Sequence, residues 1–227
     1  MLRKIKCQQH FKHDGFTLIE LMIALAINLL ILLALTGIYS SNVSHFAQIQ
    51  QSDALNQQMQ SAMQIMVRDI RRAGYWSNAI SNISTNQNNN PFMAAGVDIT
   101  VNAGNNCILF AYDYTNSGSL PSISASSDDD RSGYRLLNQT LQGRPRGATF
   151  NCTAAASNWE NIINPAIVTI TALTFTLNST IVPVGASTNY MQVRSVDISM
   201  TGQLVSNTSI TKTLTQHVRI RNDKYVP

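Results

Sequence analysis

Few side chains in this 227-residue sequence are equipped for chemistry, and those that are lie scattered. Of four histidines, His10 and His13 crowd the start while His45 and His217 stand alone, so neither a metal-ligand spacing nor a nucleophile with a neighbouring base can be assembled. There is no GxSxG, no GxxxxGKS/T and no CxxC. The expectation is a protein that is not an enzyme and takes no metal and no cofactor. Asp128, Asp129 and Asp130 form an acidic run. It lacks the alternating spacing and closing glutamate of a calcium loop, so a solvated turn is expected. What remains is one glutamate, Glu20, set in an apolar run, and three cysteines, Cys7, Cys107 and Cys152.

The element around Glu20 explains why a lone carboxylate matters. Met1 to Asp14 is short and basic, and from Phe16 to Tyr39 the chain is apolar with no Lys or Arg. At 1.5 Å rise per residue, about twenty such residues cross a hydrocarbon core of about 30 Å. The basic flank holds the N-terminus in the cytoplasm and sends the remainder to the far side. It also accounts for the charge. Arg3, Lys4, Lys6 and Lys12 against Asp14 supply +3 of the net +4, which leaves the rest near neutral, with no electrostatic footprint for direct binding of nucleic acid. A carboxylate in such a segment costs on the order of 2.5 to 3.5 kcal/mol, so Glu20 needs a partner or must snorkel to the interface. Asn28 is a second polar intrusion; it suits an interhelical hydrogen bond and is assigned no role.

An ordinary secretory signal is cut after its apolar region, and the best small-residue match, Ala24-Leu25-Ala26, lies inside it. The junction from Gly15 through Phe16, Thr17, Leu18, Ile19 and Glu20 to Leu25 instead resembles the leader of the type IV pilin family. That resemblance implies a leader of residues 1–15, cut by the prepilin peptidase between Gly15 and Phe16, with Phe16 then N-methylated. It implies that Glu20 pairs with the N-terminal amine of a neighbouring subunit and sets register as helices pack. The stretch Val67 to Tyr75, with Arg68, Asp69, Arg71, Arg72 and Gly74, and the closing Val218-Arg219-Ile220-Arg221-Asn222 resemble those of PilW-type minor pilins. The implied role is initiation of filament assembly in pilus biogenesis, supporting twitching motility, adhesion or DNA uptake. The implied partners are the prepilin peptidase, which is also the N-methyltransferase, other minor and major pilins met through the N-terminal helix, and the inner-membrane assembly platform. The implied location is the inner membrane, single-pass with a periplasmic head, and then the pilus. A pseudopilin of a type II secretion system would share leader and helix. A head acting as an adhesin or DNA-binding module is a reading of another class.

Beyond Tyr39 the helical period continues through Val43, Phe46 and Ala47 to Met59, Ala62, Met63, Met66, Ile70 and Ala73. No proline precedes Pro91, so one helix is expected over Phe16–Ala73, about 85 Å long at 1.5 Å per residue. Residues 16–39 form its membrane or filament-core half and 40–73 its amphipathic half, whose methionine stripe reads as core packing. Arg71, Arg72 and Gly74 suit its C-terminal end. Where many pilins carry a helix-breaking proline this chain has Gly37, which weakens a helix by about 1 kcal/mol rather than about 3.

Residues 74–227 are expected to form a β-rich head. Residues 77–91 and 115–133 read as loops, and Cys107–Tyr114 and Tyr134–Leu141 as strands. Val168, Ile170 and Ala172 change phase to Leu173, Phe175 and Leu177, and Met191 and Val193 change phase to Val196, Ile198 and Met200. A bulge is expected at each slip. Ile210 to Ile220 supplies a last strand, and the three strands predict one antiparallel sheet with a face on the helix. The fold class is α+β, and by resemblance the type IV pilin fold. Cys7 leaves with the leader, and Cys107 and Cys152 lie on the oxidising side, where one disulfide is expected and a pair of free buried thiols is the alternative.

Overall fold

A helix with apolar side chains on every side belongs in a large core or in a membrane, and the first part of the protein is such a helix. The structure is a computed structural model that describes residues 15–82, 89–121, 130–144, 149–153, 159–185 and 188–227; Cys7, the residues up to Asp14, and Asp128 and Asp129 lie outside them. The chain divides into two units, Met1–Gln50 and Gln51–Pro227, and helix α1, Leu18–Ile70, contributes to both. In the first unit every described residue is exposed, and the most apolar 18-residue window has a mean hydropathy of 2.7. Gly37 lies within the helix with no atom near the position a Cβ would take.

In the second unit α1 acquires a buried stripe. Leu55, Met59, Ala62, Met63, Met66 and Ile70 recur at three- and four-residue steps and are buried. The α-helix stops at Ile70, three residues short of Ala73, because its last turn tightens into hydrogen bonds from Arg72 N to Asp69 O and from Ala73 N to Ile70 O. Gly74 then turns the chain at φ 73°, and a side chain there would overlap Met93. A four-residue helix α2, Ala79–Asn82, and a 3-10 turn over Pro91–Met93 follow.

The head has two antiparallel sheets, the later of which is the sheet of three late strands that the sequence predicted, with one short strand added. The first runs β1 (Thr100–Val101), β2 (Cys107–Ala111), β3 (Arg131–Leu137), β4 (Thr140–Arg144) and β5 (Glu160–Asn161) in that order. The second has β6 (Val168–Pro183), β7 (Tyr190–Leu204) and β8 (Thr211–Arg219) side by side, with β9 (Lys224–Val226) also on β7. Between them and α1 lies one core, to which Ile108, Phe110 and Tyr134 come from the first sheet and Phe175, Ile198 and Met200 from the second.

Two strand expectations are corrected. Tyr134–Leu141 is not one strand, because Asn138 and Gln139 both take positive φ and reverse the chain in a two-residue hairpin turn. The slip in β6 is a bulge, with Thr171 skipped between Ile170 and Ala172. The slip in β7 is not. That strand pairs without interruption from Tyr190 to Met200, and Arg194 takes the inward position before Val196 and Ile198.

Candidate functional site

Glu20 lies three residues into α1 from its cap, where a carboxylate can reach back to the free amide ahead of the helix. Thr17 precedes the first helical residue, and its backbone N–H donates to Glu20 Oε2 at 2.9 Å while its hydroxyl donates to the same oxygen at 2.8 Å. Glu20 N–H donates in return to Thr17 Oγ1 at 3.3 Å. Both contacts to the carboxylate use Oε2, and Oε1 has no hydrogen-bond partner among the described residues. Gly15 and Phe16 precede the cap outside any regular element, with Phe16 88% exposed. The scissile bond expected from the sequence is therefore held in no secondary structure, one residue before a self-capped helix. The Asn28 side chain is exposed on α1 and makes no hydrogen bond among the described residues.

The second unit joins two distant segments singled out in the sequence. Arg221 N–H donates to Arg71 O at 3.1 Å, and the Asn222 side-chain amide donates to Arg72 O at 3.3 Å and Ala73 O at 3.1 Å. This segment thus supplies donors to the Arg71 and Ala73 carbonyls just past α1 and a second donor to Arg72 O, which also accepts the Tyr75 N–H. Asp98 pins the same segment, accepting from Lys224 Nζ at 2.7 Å and from Arg194 Nη1 at 2.5 Å, while Arg194 Nη2 reaches Asn222 O at 3.2 Å. Sequence reasoning missed Arg194, whose arginine among alternating aliphatic residues read as a change of phase.

Cys107 and Cys152 form a disulfide, with Cα atoms 6.1 Å apart. It is packed with Leu109 and Trp159. The Arg135 guanidinium lies 4.3 Å above the Trp159 ring and donates from Nη1 to Cys152 O at 2.9 Å. Burial there lowers the Arg135 pKa from its ordinary value.

Asp130 departs from the solvated turn expected of the acidic run. It is 1% exposed, and its Oδ1 accepts the amides of Tyr114 at 2.8 Å and Thr115 at 3.3 Å. Asp113 does the same for the loop after Gly74. Its Oδ2 accepts the Ser77 amide and hydroxyl and the Gly118 amide, and its Oδ1 accepts the Ser117 amide. Burial pushes its carboxyl up, and these donors outweigh burial to hold it below the usual range. His217 Nδ1 lies 2.6 Å from Asp197 Oδ1 on the exposed face of β7 and β8, and that contact lowers Asp197. His45 is exposed on α1. Among the described residues no group of three His, Cys, Asp or Glu side chains converges on a point.

Comparison with known protein families places this geometry. Residues 11–36 match the model of the prokaryotic N-terminal methylation motif, a window that holds Gly15, Phe16 and Glu20. Residues 48–220 match the model described as prepilin peptidase-dependent protein B, which takes in the amphipathic part of α1 and most of the head. No curated protein and no solved structure matches the chain.

Proposed function

Since the chain belongs to the prepilin peptidase-dependent protein B family, and so is a membrane-anchored pilin-like subunit, we propose that it is a minor pilin of a type IV pilus that helps to start filament assembly. The observation that carries this reading is the methylation motif over residues 11–36, which runs into the exposed start of α1, whose most apolar 18-residue window has a mean hydropathy of 2.7. The prepilin peptidase cuts after Gly15 and methylates Phe16. The apolar helix is retained as the anchor, with the head in the periplasm, until lipid around it is exchanged for the helices of other pilins at the assembly platform. Glu20 then offers its carboxylate to the α-amine of a neighbouring subunit. A charge pair in a low-dielectric surrounding discriminates strongly between correct and shifted register.

The test has two parts. Mass spectrometry of the mature protein is expected to find a chain starting at methylated Phe16, and retention of residues before Phe16 overturns the reading. Deletion of the gene is expected to abolish surface pili while leaving exoprotein secretion intact. The opposite pattern, lost secretion with pili present, assigns the subunit to a type II secretion system as a pseudopilin.

A further inference from the structure

We propose that the cleft between the end of α1 and β8 binds an acidic peptide segment of another protein through its side-chain carboxylates. The cleft has a volume of about 440 Å³, within the range of ligand clefts. Arg68, Arg71, Arg72 and Arg221 all line it, and no aspartate or glutamate does so among the described residues. Arg71 and Arg72 stand three and four residues beyond Arg68, so the three are neighbours, and like charges at that spacing repel. Arg221 joins them from the segment after β8, its N–H bonded to Arg71 O at 3.1 Å.

Two ordinary reasons for such arginines do not apply. Basic side chains can bond the last carbonyls of a helix, but those carbonyls receive the Arg221 N–H and the Asn222 amide. Nor does the chain neutralise the cluster. Arg68 meets Asp69 at 3.0 Å, whereas Arg71, Arg72 and Arg221 form no ion pair among the described residues. Lys212 apart, the other described cations of the head are engaged. Arg194 and Lys224 share Asp98, Arg219 meets Asp223, and Arg131, Arg135 and Arg144 donate to backbone carbonyls.

A guanidinium receives a carboxylate or a phosphate through the same pair of N–H donors, so the remaining walls select between them. Met63 and Val67 supply an apolar base, and Gln64 and Gln216 carry amides that both donate and accept. Along β8, Gln216 shares the face of Leu214 and Val218, which pack on the core, so an amide stands where that strand is otherwise apolar. A peptide offers an aliphatic side chain to the base and backbone N–H and C=O groups to the amides; a phosphodiester has no donor. No aromatic ring among the described residues lines this cleft for a base to stack on. The depressions that share its arginines carry Asp69, Glu160 and Asp113, where a continuous polyanion meets like charge. A second copy lacks the matching segment. Acidic residues within five positions of each other occur only at Asp128, Asp129 and Asp130, and no aliphatic residue lies between Ser126 and Gly133.

The site does not depend on which assembly receives the subunit. The test titrates the full mature chain in detergent with the labelled peptide Glu-Leu-Glu-Leu-Glu, acetylated and amidated, and reads fluorescence anisotropy. Binding is expected to be about tenfold or more tighter than that of a Gln-Leu-Gln-Leu-Gln control and to weaken several-fold between about 50 and about 300 mM salt. Arg71→Gln combined with Arg221→Gln is expected to lose about tenfold or more, since these two residues hold the fold through backbone atoms. Lys212→Gln, which removes an unpaired cation outside the cleft, is expected to bind as the parent does. If the double variant fails to fold, the neutral control and the salt series on the parent still decide. Equal binding of the neutral peptide, or full binding by a folded double variant, overturns the site. A thymidine oligonucleotide of the same length that binds as tightly overturns the peptide in favour of nucleic acid. Displacement by an equal concentration of inorganic phosphate overturns it in favour of a bare oxyanion, and equal binding of Ser-Ser-Asp-Asp-Asp-Arg-Ser overturns it in favour of a second copy. None of these outcomes bears on a mature chain that starts at Phe16, so the pilin reading is tested apart from the site.

Discussion

Glu20 has two jobs that a single substitution can separate. As the partner of Thr17 it caps α1, and in the proposed assembly its charge meets another subunit's amine. Glu20→Gln keeps an acceptor for the cap but removes the charge. It should therefore be processed normally and remain helical, while incorporation into filaments falls about tenfold or more. Quantifying mature protein in membrane and filament fractions checks this, and equal incorporation would show that the charge is dispensable. Asp113 makes a prediction outside the membrane. Its folded pKa is depressed relative to the reference value of 3.8, so its contribution is full above the unfolded value and is lost as pH falls through the folded one. Asp113→Asn should cost about 1 to 3 kcal/mol at neutral pH, with the difference from the parent shrinking below about pH 4. Urea denaturation at the two pH values measures it.

At the scale of elements, Met66 is fully buried in the stripe that joins α1 to both sheets. Met66→Ala should destabilise the head by about 2 to 5 kcal/mol in chemical denaturation; an unchanged midpoint would mean that the stripe is not core. This stripe was legible in the sequence, as were the apolar anchor and the β6 bulge, because each is a local pattern within one continuous stretch of chain. The rest was hidden for physical reasons. The β3–β4 turn uses Asn138-Gln139 in place of the glycine that usually marks positive φ. β1 and β5 have two residues each and carry no period. Arg194 is inward-facing because Asp98, some hundred residues away in sequence, neutralises it, and no local pattern announces such a partner. Glu20 was legible as an anomaly of composition, whereas its bond to Thr17 needed the start of the helix to be fixed.

For the whole head, the bond between Cys107 and Cys152 closes a loop with a sequence separation of 45. The chain-entropy relation then gives about 4 kcal/mol of stabilisation. Reduction with a thiol should lower the thermal midpoint of the head by more than about 5 °C, and calorimetry with and without reductant tests this. A second long-range tie is made by Arg221, Asn222 and Lys224, which fasten the segment after β8 to the end of α1 and to Asp98. Removing residues 221–227 would open that seam while leaving the strands β1 to β8 whole, so a protease at limiting dose should nick the shortened protein faster than its parent.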